Sequence, residues 1–451
     1  MLLASLLMTG STYAGVLNFN FKQLEHARKF NMISSETLIV KITPESRFAS
    51  RSFYLGEFKP FFTAEDGTWG YLRLNMTPDA MNASFVLKDL KMDKEVLHAY
   101  FAPVPKNAMT EEQDEIVKAV EEEETSEYVS TPDFEEKQNY LKDAPVGVGA
   151  KSAWSIAGGT GRNVKVIDIE TCFEDQHEDF ERAFWIGNNP AECASTDHGT
   201  AVWGEIAAKR DGKGVTGIAH EADFGIYGFI EGDWDKVNDQ YITSINKGIQ
   251  GAIKELDAGD VLVIEQQMVG PNLDEYTAVE YWPHIFEQLK MATKKGIICV
   301  QAAGNGGSNF DAPAYGGAFN LKLRDSGCIM VGAIDPISRE RLSFSNYGTR
   351  LDVAAFGKGV LTTGYGDLFS QGKERTYTAK FSGTSSATPI VAGAVAVVSS
   401  IAKENGRVIT PKVMRAALRA TGMKQGRLSL DKRVGSLPVI QQLLTKLKIQ
   451  K

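Results

Sequence analysis

A chain of 451 residues, 43% hydrophobic and 24% charged, has the balance of a folded protein with material for one large core beside a small one, which excludes disorder throughout. Lys and Arg number 49 against 57 Asp and Glu, a formal charge of −8, so no basic stripe is available to displace counterions from phosphate and no nucleic-acid partner is expected. No apolar run is read as reaching the roughly 18 residues of a membrane span.

The first residues, MLLASLLMTGSTYAG, carry a short apolar core followed by small residues ending at Ala14. Residues 1–14 therefore read as the remnant of a secretory signal, without the usual positive n-region, and imply a secreted or periplasmic protein. Residues 15–105 hold the short alternating runs TLIVKITP, GYLRLNM and ASFVLKDLKM, the texture of a small α+β domain. Residues 106–130 read as an acidic linker, because Glu111 to Thr125 hold eight acids against Lys118 and like-charge crowding disfavours compact packing. From 131 to 451 the texture changes. The apolar runs VKVIDI, ADFGIYGF, DVLVIEQQM, GIICVQAAGN and CIMVGAI alternate with stretches of helical period such as DQYITSINKGIQGAIKEL. Runs apolar on both faces and separated by helices predict a mostly parallel, doubly wound α/β sheet with helices on both faces. Functional groups in such sheets gather at the carboxyl ends of the strands.

Four cysteines, Cys172, Cys193, Cys299 and Cys328, follow no metal-binding spacing. Export would permit one or two disulfides, and Cys172 with Cys193 is the readier pair because it lies in a loop-rich stretch. Cys299 and Cys328 each open an apolar run, where two buried free thiols are an equal reading.

The stretch FSGTSSATPIVAGAVAVV, Phe381 to Val398, places Thr384, Ser385 and Ser386 before a run of small apolar residues that reads as a buried helix. Helix capping is the commoner use of such hydroxyls. A nucleophile is the other, since a developing oxyanion would be stabilised by the free N–H groups of a helix start. Asp168 near the end of a strand-like run, and His198 in STDHGTAVWGEIAA, are candidate partners, because a buried carboxylate needs one.

Asp168, His198, AAGN at Ala302 to Asn305 and GTSSATP at Gly383 to Pro389 resemble, in order, the signature segments of the subtilisin-like serine peptidases. The resemblance runs from about Thr131 to Leu444. It implies a serine endopeptidase acting through an acyl-enzyme, with Ser385 as nucleophile, His198 as base and Asp168 holding the imidazole. Asn305 and the Ser385 N–H would form the oxyanion hole. Gln267, Met268 and Val269, standing where the family has Ser, Leu and Gly, would pair with an extended peptide substrate, with Ala302, Ala303 and Gly304 opposite. Val269 in place of Gly would narrow the entrance to the pocket for the residue before the cleaved bond. Asp311 is a candidate for favouring a basic residue there, although a turn-forming role is the commoner one. The segment FVLKDLKMDKEVLHAYFAPVP resembles the close of the family's propeptide, so the amino-terminal domain is expected to be an inhibitory partner of its own enzyme, made as a self-processing precursor. A monomer acting on proteins or peptides is expected. No cofactor is required for the chemistry, and structural calcium is implied by the resemblance alone.

The pattern also departs from the family. Ile169 and Glu170 follow Asp168 where Thr or Ser and then Gly are usual, and Ala201 replaces a second His. None of these changes removes a triad or oxyanion group. A catalytically silent relative that binds peptides remains the alternative, whereas a lipid or ester hydrolase is opposed by the absence of a GxSxG elbow. Thr384 and Ser386 read as cap and packing residues, and Pro389 as a residue of the helix's first turn. Near the carboxyl terminus, Val439, Leu443, Leu444 and Leu447 recur at helical spacing and predict a packed helix.

Overall fold

The computed structural model describes residues 33–44, 46, 58–64, 66–74, 86–88, 90–103, 106–108, 129–191, 193, 195–229, 240–271, 275–427 and 431–449. The apolar opening over 1–14 and the acidic run over 109–128 lie outside them.

The first strands are β1 (Ile33–Ile42), β2 (Phe58–Ala64), β3 (Gly67–Arg73) and β4 (Val96–Pro103), which form an antiparallel sheet in the order β2-β3-β1-β4. β1 is buried on both faces from Thr37 to Ile42, and β3 buries Trp69, Tyr71 and Leu72, so this small sheet is covered on both sides. A two-residue strand, β5 (Lys106–Asn107), follows. It does not join that sheet. The expectation that residue 106 opens a solvated linker is corrected here, since β5 pairs with a strand of the large domain.

The large domain is built on seven parallel strands. They are β6 (Lys165–Glu170), β7 (Trp185–Asn188), β8 (Asp223–Gly228), β9 (Val261–Ile264), β12 (Ile298–Ala302), β13 (Ile329–Ile334) and β14 (Val353–Phe356), in the order β14-β13-β12-β9-β6-β8-β7. Every residue of β9, β12, β13 and β14 is buried, which explains why these strands read as continuous apolar runs rather than as alternation. Between β9 and β12 the hairpin of β10 (Gln266–Val269) and β11 (Tyr276–Ala278) leaves the sheet at its carboxyl end. A further antiparallel sheet comprises β15 (Val360–Thr363), β16 (Phe369–Ser370) and β17 (Thr376–Phe381).

Helices cover both faces. α1 (Ala150–Ala153) is a single turn, α2 is Asp197–Ala207, α3 is Gln240–Glu255, α4 is Pro283–Lys295, α5 is Thr384–Glu404, α6 is Pro411–Ala420 and α7 is Ile440–Leu447. α2 and α5 pack together against the sheet, while α3 and α4 pack together elsewhere on it. α5 is long and apolar enough to cross a membrane, with a mean hydropathy of 1.6, contrary to the sequence expectation that no stretch would be. Its residues from Thr384 to Ala402 are all buried inside the fold, so its composition is that of a core helix. The carboxyl-terminal helix packs as expected, burying Leu443, Leu444 and Leu447.

The antiparallel sheet rests on α3 and α4. Lys41, 1% exposed, gives its ammonium to Glu287 at 2.8 Å and to the exposed Asp66 at 2.7 Å. Trp69 Nε1 donates to the second Glu287 oxygen at 2.7 Å, and the Tyr100 hydroxyl meets His284 Nδ1 at 2.7 Å. Phe61 is joined through its carbonyl to Gln250 at 2.8 Å. These contacts bring the end of β4, and with it β5, to the carboxyl edge of the large sheet.

Candidate active site

His198 lies in the first turn of α2, and its Nδ1 stands 2.8 Å from Glu170 Oε2. An ionised carboxylate can only accept, so Nδ1 carries the proton and Nε2 is left as the base. This corrects the expected pairing with Asp168. Glu170 is the last residue of β6 and Asp168 lies two residues inside the strand, on the same face but farther from the carboxyl edge. The following residue completes the arrangement: Thr171 donates from its N–H to Glu170 Oε1 at 2.5 Å and from its hydroxyl at 3.3 Å. The hydroxyl residue that is missing directly after Asp168 is therefore present directly after Glu170. Gly199 makes the approach possible, because a Cβ there would lie 2.7 Å from Glu170 Cγ and 2.8 Å from the Cys172 carbonyl. A disulfide joins Cys172 to Cys193, as the sequence favoured, and ties the chain just after Glu170 to the chain just before His198. Cys299 and Cys328 are buried free thiols.

Ser385 stands at the start of α5, behind Gly383, whose φ of 116° is one that residues with a side chain rarely adopt. Phe381, at the end of β17, meets the His198 ring edge-on with centroids 5.5 Å apart. Ser385 Oγ and His198 Nε2 are both buried, and neither has a hydrogen-bond partner among the described residues. Ser386 bonds to the Phe356 and Gly383 carbonyls at 3.0 and 3.1 Å, which is a packing role. Thr384 is not the expected cap, since Gly383 holds that place and no side chain caps α5; instead its N–H and hydroxyl donate to Asn305 Oδ1 at 3.0 and 2.9 Å, so the amide nitrogen must point the other way. Pro389 falls in the second turn of α5, not the first, and the N–H it lacks is the one that would have faced the Ser385 carbonyl.

That amide is occupied. Asn305 Nδ2 donates to the carbonyl of Ala108 at 2.6 Å, and the Ser385 N–H donates to the same oxygen at 3.3 Å. The Ala108 N–H donates to the Glu265 carbonyl at 3.2 Å, and β5 pairs antiparallel with β10, Asn107 opposite Gln266 and Lys106 opposite Gln267. Residues 106–108 thus lie in the cleft as an added strand whose last carbonyl faces the two donors expected to form the oxyanion hole. Of the three residues expected to hold such a strand, Gln267 does so. Met268 and Val269 instead pair with Thr277 and Tyr276 of β11, and Glu265 and Gln266 take their place. The correction is again a shift of two residues along a strand. Opposite, Ala302 ends β12, Ala303 and Gly304 follow, and Asn346 ties this loop to β11 by donating to the Ala303 and Tyr276 carbonyls at 2.7 and 2.9 Å. Asp311 ties its loop to a distant one, accepting from the Thr349 N–H and hydroxyl at 2.9 and 2.6 Å.

Behind the site lie three further carboxyls, Asp168, Glu205 and Glu265, each fully buried and each without a hydrogen-bond partner among the described residues. Burial pushes all three well above the usual carboxyl range, with the negative charge of Glu170 adding to the rise at Asp168 and those of Asp168, Glu170 and Glu205 adding at Glu265. Of the four carboxyls, Glu170 is the one that receives donors. Among the described residues no group of three or more His, Cys, Asp or Glu side chains is placed to hold a metal ion, so the side chains present do not fit a carboxylate cage for calcium.

The subtilase family model matches residues 129–436. An intracellular serine protease of Paenibacillus polymyxa is 31% identical over 279 residues, covering 59% of this chain and 76% of that protein. Subtilisin NAT of Bacillus subtilis subsp. natto is 31% identical over 267 residues, covering 58% of this chain and 62% of that protein. Among solved structures, fervidolysin from Fervidobacterium pennivorans, a keratinolytic enzyme related to subtilisin, superposes with a TM-score of 0.61 at 18% identity, over 92% of this chain and 61% of that one. That likeness concerns the fold.

The buried carboxyls give a pH dependence with a definite sign. A carboxyl raised in the folded state favours folding most below its unfolded value, about 4.3 for Glu, and that contribution is lost as pH rises through the folded value. Glu205→Gln is therefore expected to raise Tm at about pH 9 and to change it little at about pH 4. Equal Tm gains at both pH values in a thermal melt would contradict the assignment.

Proposed function

The chain belongs to the subtilase family and is a subtilisin-like serine endopeptidase, and on that premise we propose that Ser385, His198 and Glu170 form its triad and that it is a precursor cutting itself after Ala108. The observation that carries this reading is the Ala108 carbonyl held by Asn305 Nδ2 at 2.6 Å and by the Ser385 N–H at 3.3 Å. Those are the donors that must meet a developing oxyanion.

In the first step Ser385 Oγ bonds to the carbonyl carbon while its proton passes to His198 Nε2. Negative charge gathers on the carbonyl oxygen between the two donors. Collapse breaks the bond to the Met109 nitrogen, which takes the proton from His198, and Ala108 is left as an ester on Ser385. A water then loses its proton to the same Nε2, attacks the ester and frees the Ala108 carboxylate, and Oγ regains a proton. Throughout, Glu170 holds the Nδ1 proton in place and offsets the imidazolium charge, supported by its bond at 2.8 Å. Asp168 has no part in this scheme. Other proteins enter as Ala108 does, adding a strand to β10. After the cut, residues up to 108 remain docked through Glu287 and His284 and block the cleft until they are removed.

Export is part of the proposal, supported by the apolar opening and by the Cys172–Cys193 disulfide, which an oxidising compartment preserves. Fractionation should find the mature chain outside the cytosol, and a cytosolic pool alone would contradict it.

The triad assignment is tested by exchanging the two acids. Glu170→Gln is expected to lower kcat by about 10³- to 10⁴-fold with little change in KM, the scale of losing the triad acid in serine proteases, whereas Asp168→Asn should stay within about threefold. The reverse order of losses would restore Asp168 as the triad acid. If Ser385 in folded protein freed of residues 1–108 takes up no fluorophosphonate, the chain is the silent peptide-binding relative.

A further inference from the structure

We propose that the Gln267 side chain closes the pocket for the residue preceding the cleaved bond, so that this peptidase cuts after small residues, alanine above all, and rejects aromatic and large aliphatic ones. The inference rests on the proposed reading of residues 106–108 as a bound substrate strand.

The walls of that pocket follow from where Ala108 is held. Its N–H is fixed by the Glu265 carbonyl and its own carbonyl by Asn305 and Ser385, so its side chain must enter between the β10 strand and the Ala302–Asn305 loop. Gln267 stands on the first wall, opposite Lys106. Its Oε1 reaches the second wall and accepts the Asn305 N–H at 2.7 Å, so the side chain spans the gap that a long substrate side chain would need. Gln267 is 4% exposed and Ala108 is fully buried, which leaves the methyl group no open route to solvent.

Backbone fills the space beyond. β11 runs beside β10, Ala278 opposite Gln267 and Thr277 opposite Met268. A Cβ on Gly304 would lie 3.3 Å from the Thr277 carbonyl carbon, and one on Gly306 would lie 2.1 Å from the Tyr276 oxygen. Asn346 fastens the two segments from behind. Strand backbone does not move aside as a side chain can, so the Gln267 side chain is the part of this wall that a substitution can open. Val269, expected to be the narrowing residue, lies past this point and is paired with Tyr276.

The test has two arms. In the first, processed wild-type protein is given peptides identical except for Gly, Ala, Leu or Phe before the cleaved bond. Alanine is expected to exceed phenylalanine in kcat/KM by roughly 100-fold or more, and Gln267→Gly to raise the Phe/Ala ratio at least about tenfold, the range over which pocket size discriminates. The ratio is the readout because losing the Asn305 contact would lower turnover of every peptide alike. In the second, full-length Ala108→Phe should fail to cut at residue 108, and Gln267→Gly added to it should restore the cut. Wild-type protein that turns over Phe or Leu peptides as fast as Ala overturns the proposal, as does an Ala108→Phe chain that processes normally. Failure of the underlying reading looks different: no peptide of the series is cleaved and Ser385 takes up no fluorophosphonate.

Discussion

The contact on which the rest of the structure turns is the carbonyl of Ala108 between Asn305 Nδ2 and the Ser385 N–H. At that oxygen the two parts of the molecule, already docked through other contacts, meet in the cleft. On one side it is the end of an amino-terminal sheet anchored to α3 and α4 through Lys41, Trp69 and Tyr100. On the other it faces the two donors of the proposed oxyanion hole. The orientation of the Asn305 amide is itself set, since Thr384 donates twice to its oxygen. Because that orientation exists before any charge develops, little reorganisation is needed when it does. In the proposed self-cleavage the docked sheet would also make the encounter intramolecular, which spares the entropy of bringing two molecules together.

A second constraint is the pool of carboxyls beneath the histidine. Four acids in a buried region cannot all carry charge at ordinary cost. The structure separates them by their donors: Glu170 receives the Thr171 N–H, the Thr171 hydroxyl and His198 Nδ1, while Asp168, Glu205 and Glu265 receive none among the described residues and are held toward the neutral form. The disulfide from Cys172 to Cys193 and the missing Cβ of Gly199 keep acid and histidine together. Geometry at the Glu170–His198 pair is thus over-determined, as a tautomer-fixing contact needs to be.

Much of this was legible in the sequence. Apolar runs of β9, β12 and β13 gave a parallel sheet, the small residues after Ser385 gave a buried helix, and the order of the acid, histidine, AAGN and GTSSATP segments gave the family. Two readings shifted, and by the same amount. Asp168 was taken for Glu170, and the strand at Gln267 to Val269 for the one at Glu265 to Gln267. Side chains on a strand repeat every two residues, so a displacement of two keeps the same face and the same polarity pattern. What the pattern cannot tell is how far the strand runs before its end reaches the site. Thr171 was the available signal, being the hydroxyl residue that should follow the acid. The seat of Ala108 had no sequence signal, because it depends on where a distant sheet docks.

The most direct test of the account is intact mass and amino-terminal sequencing of the purified full-length chain beside its Ser385→Ala variant. The account predicts that wild-type protein yields a large fragment beginning at Met109 and that the variant stays whole. A wild-type chain cut at another bond, or a Ser385→Ala chain cut at the same one, would contradict it.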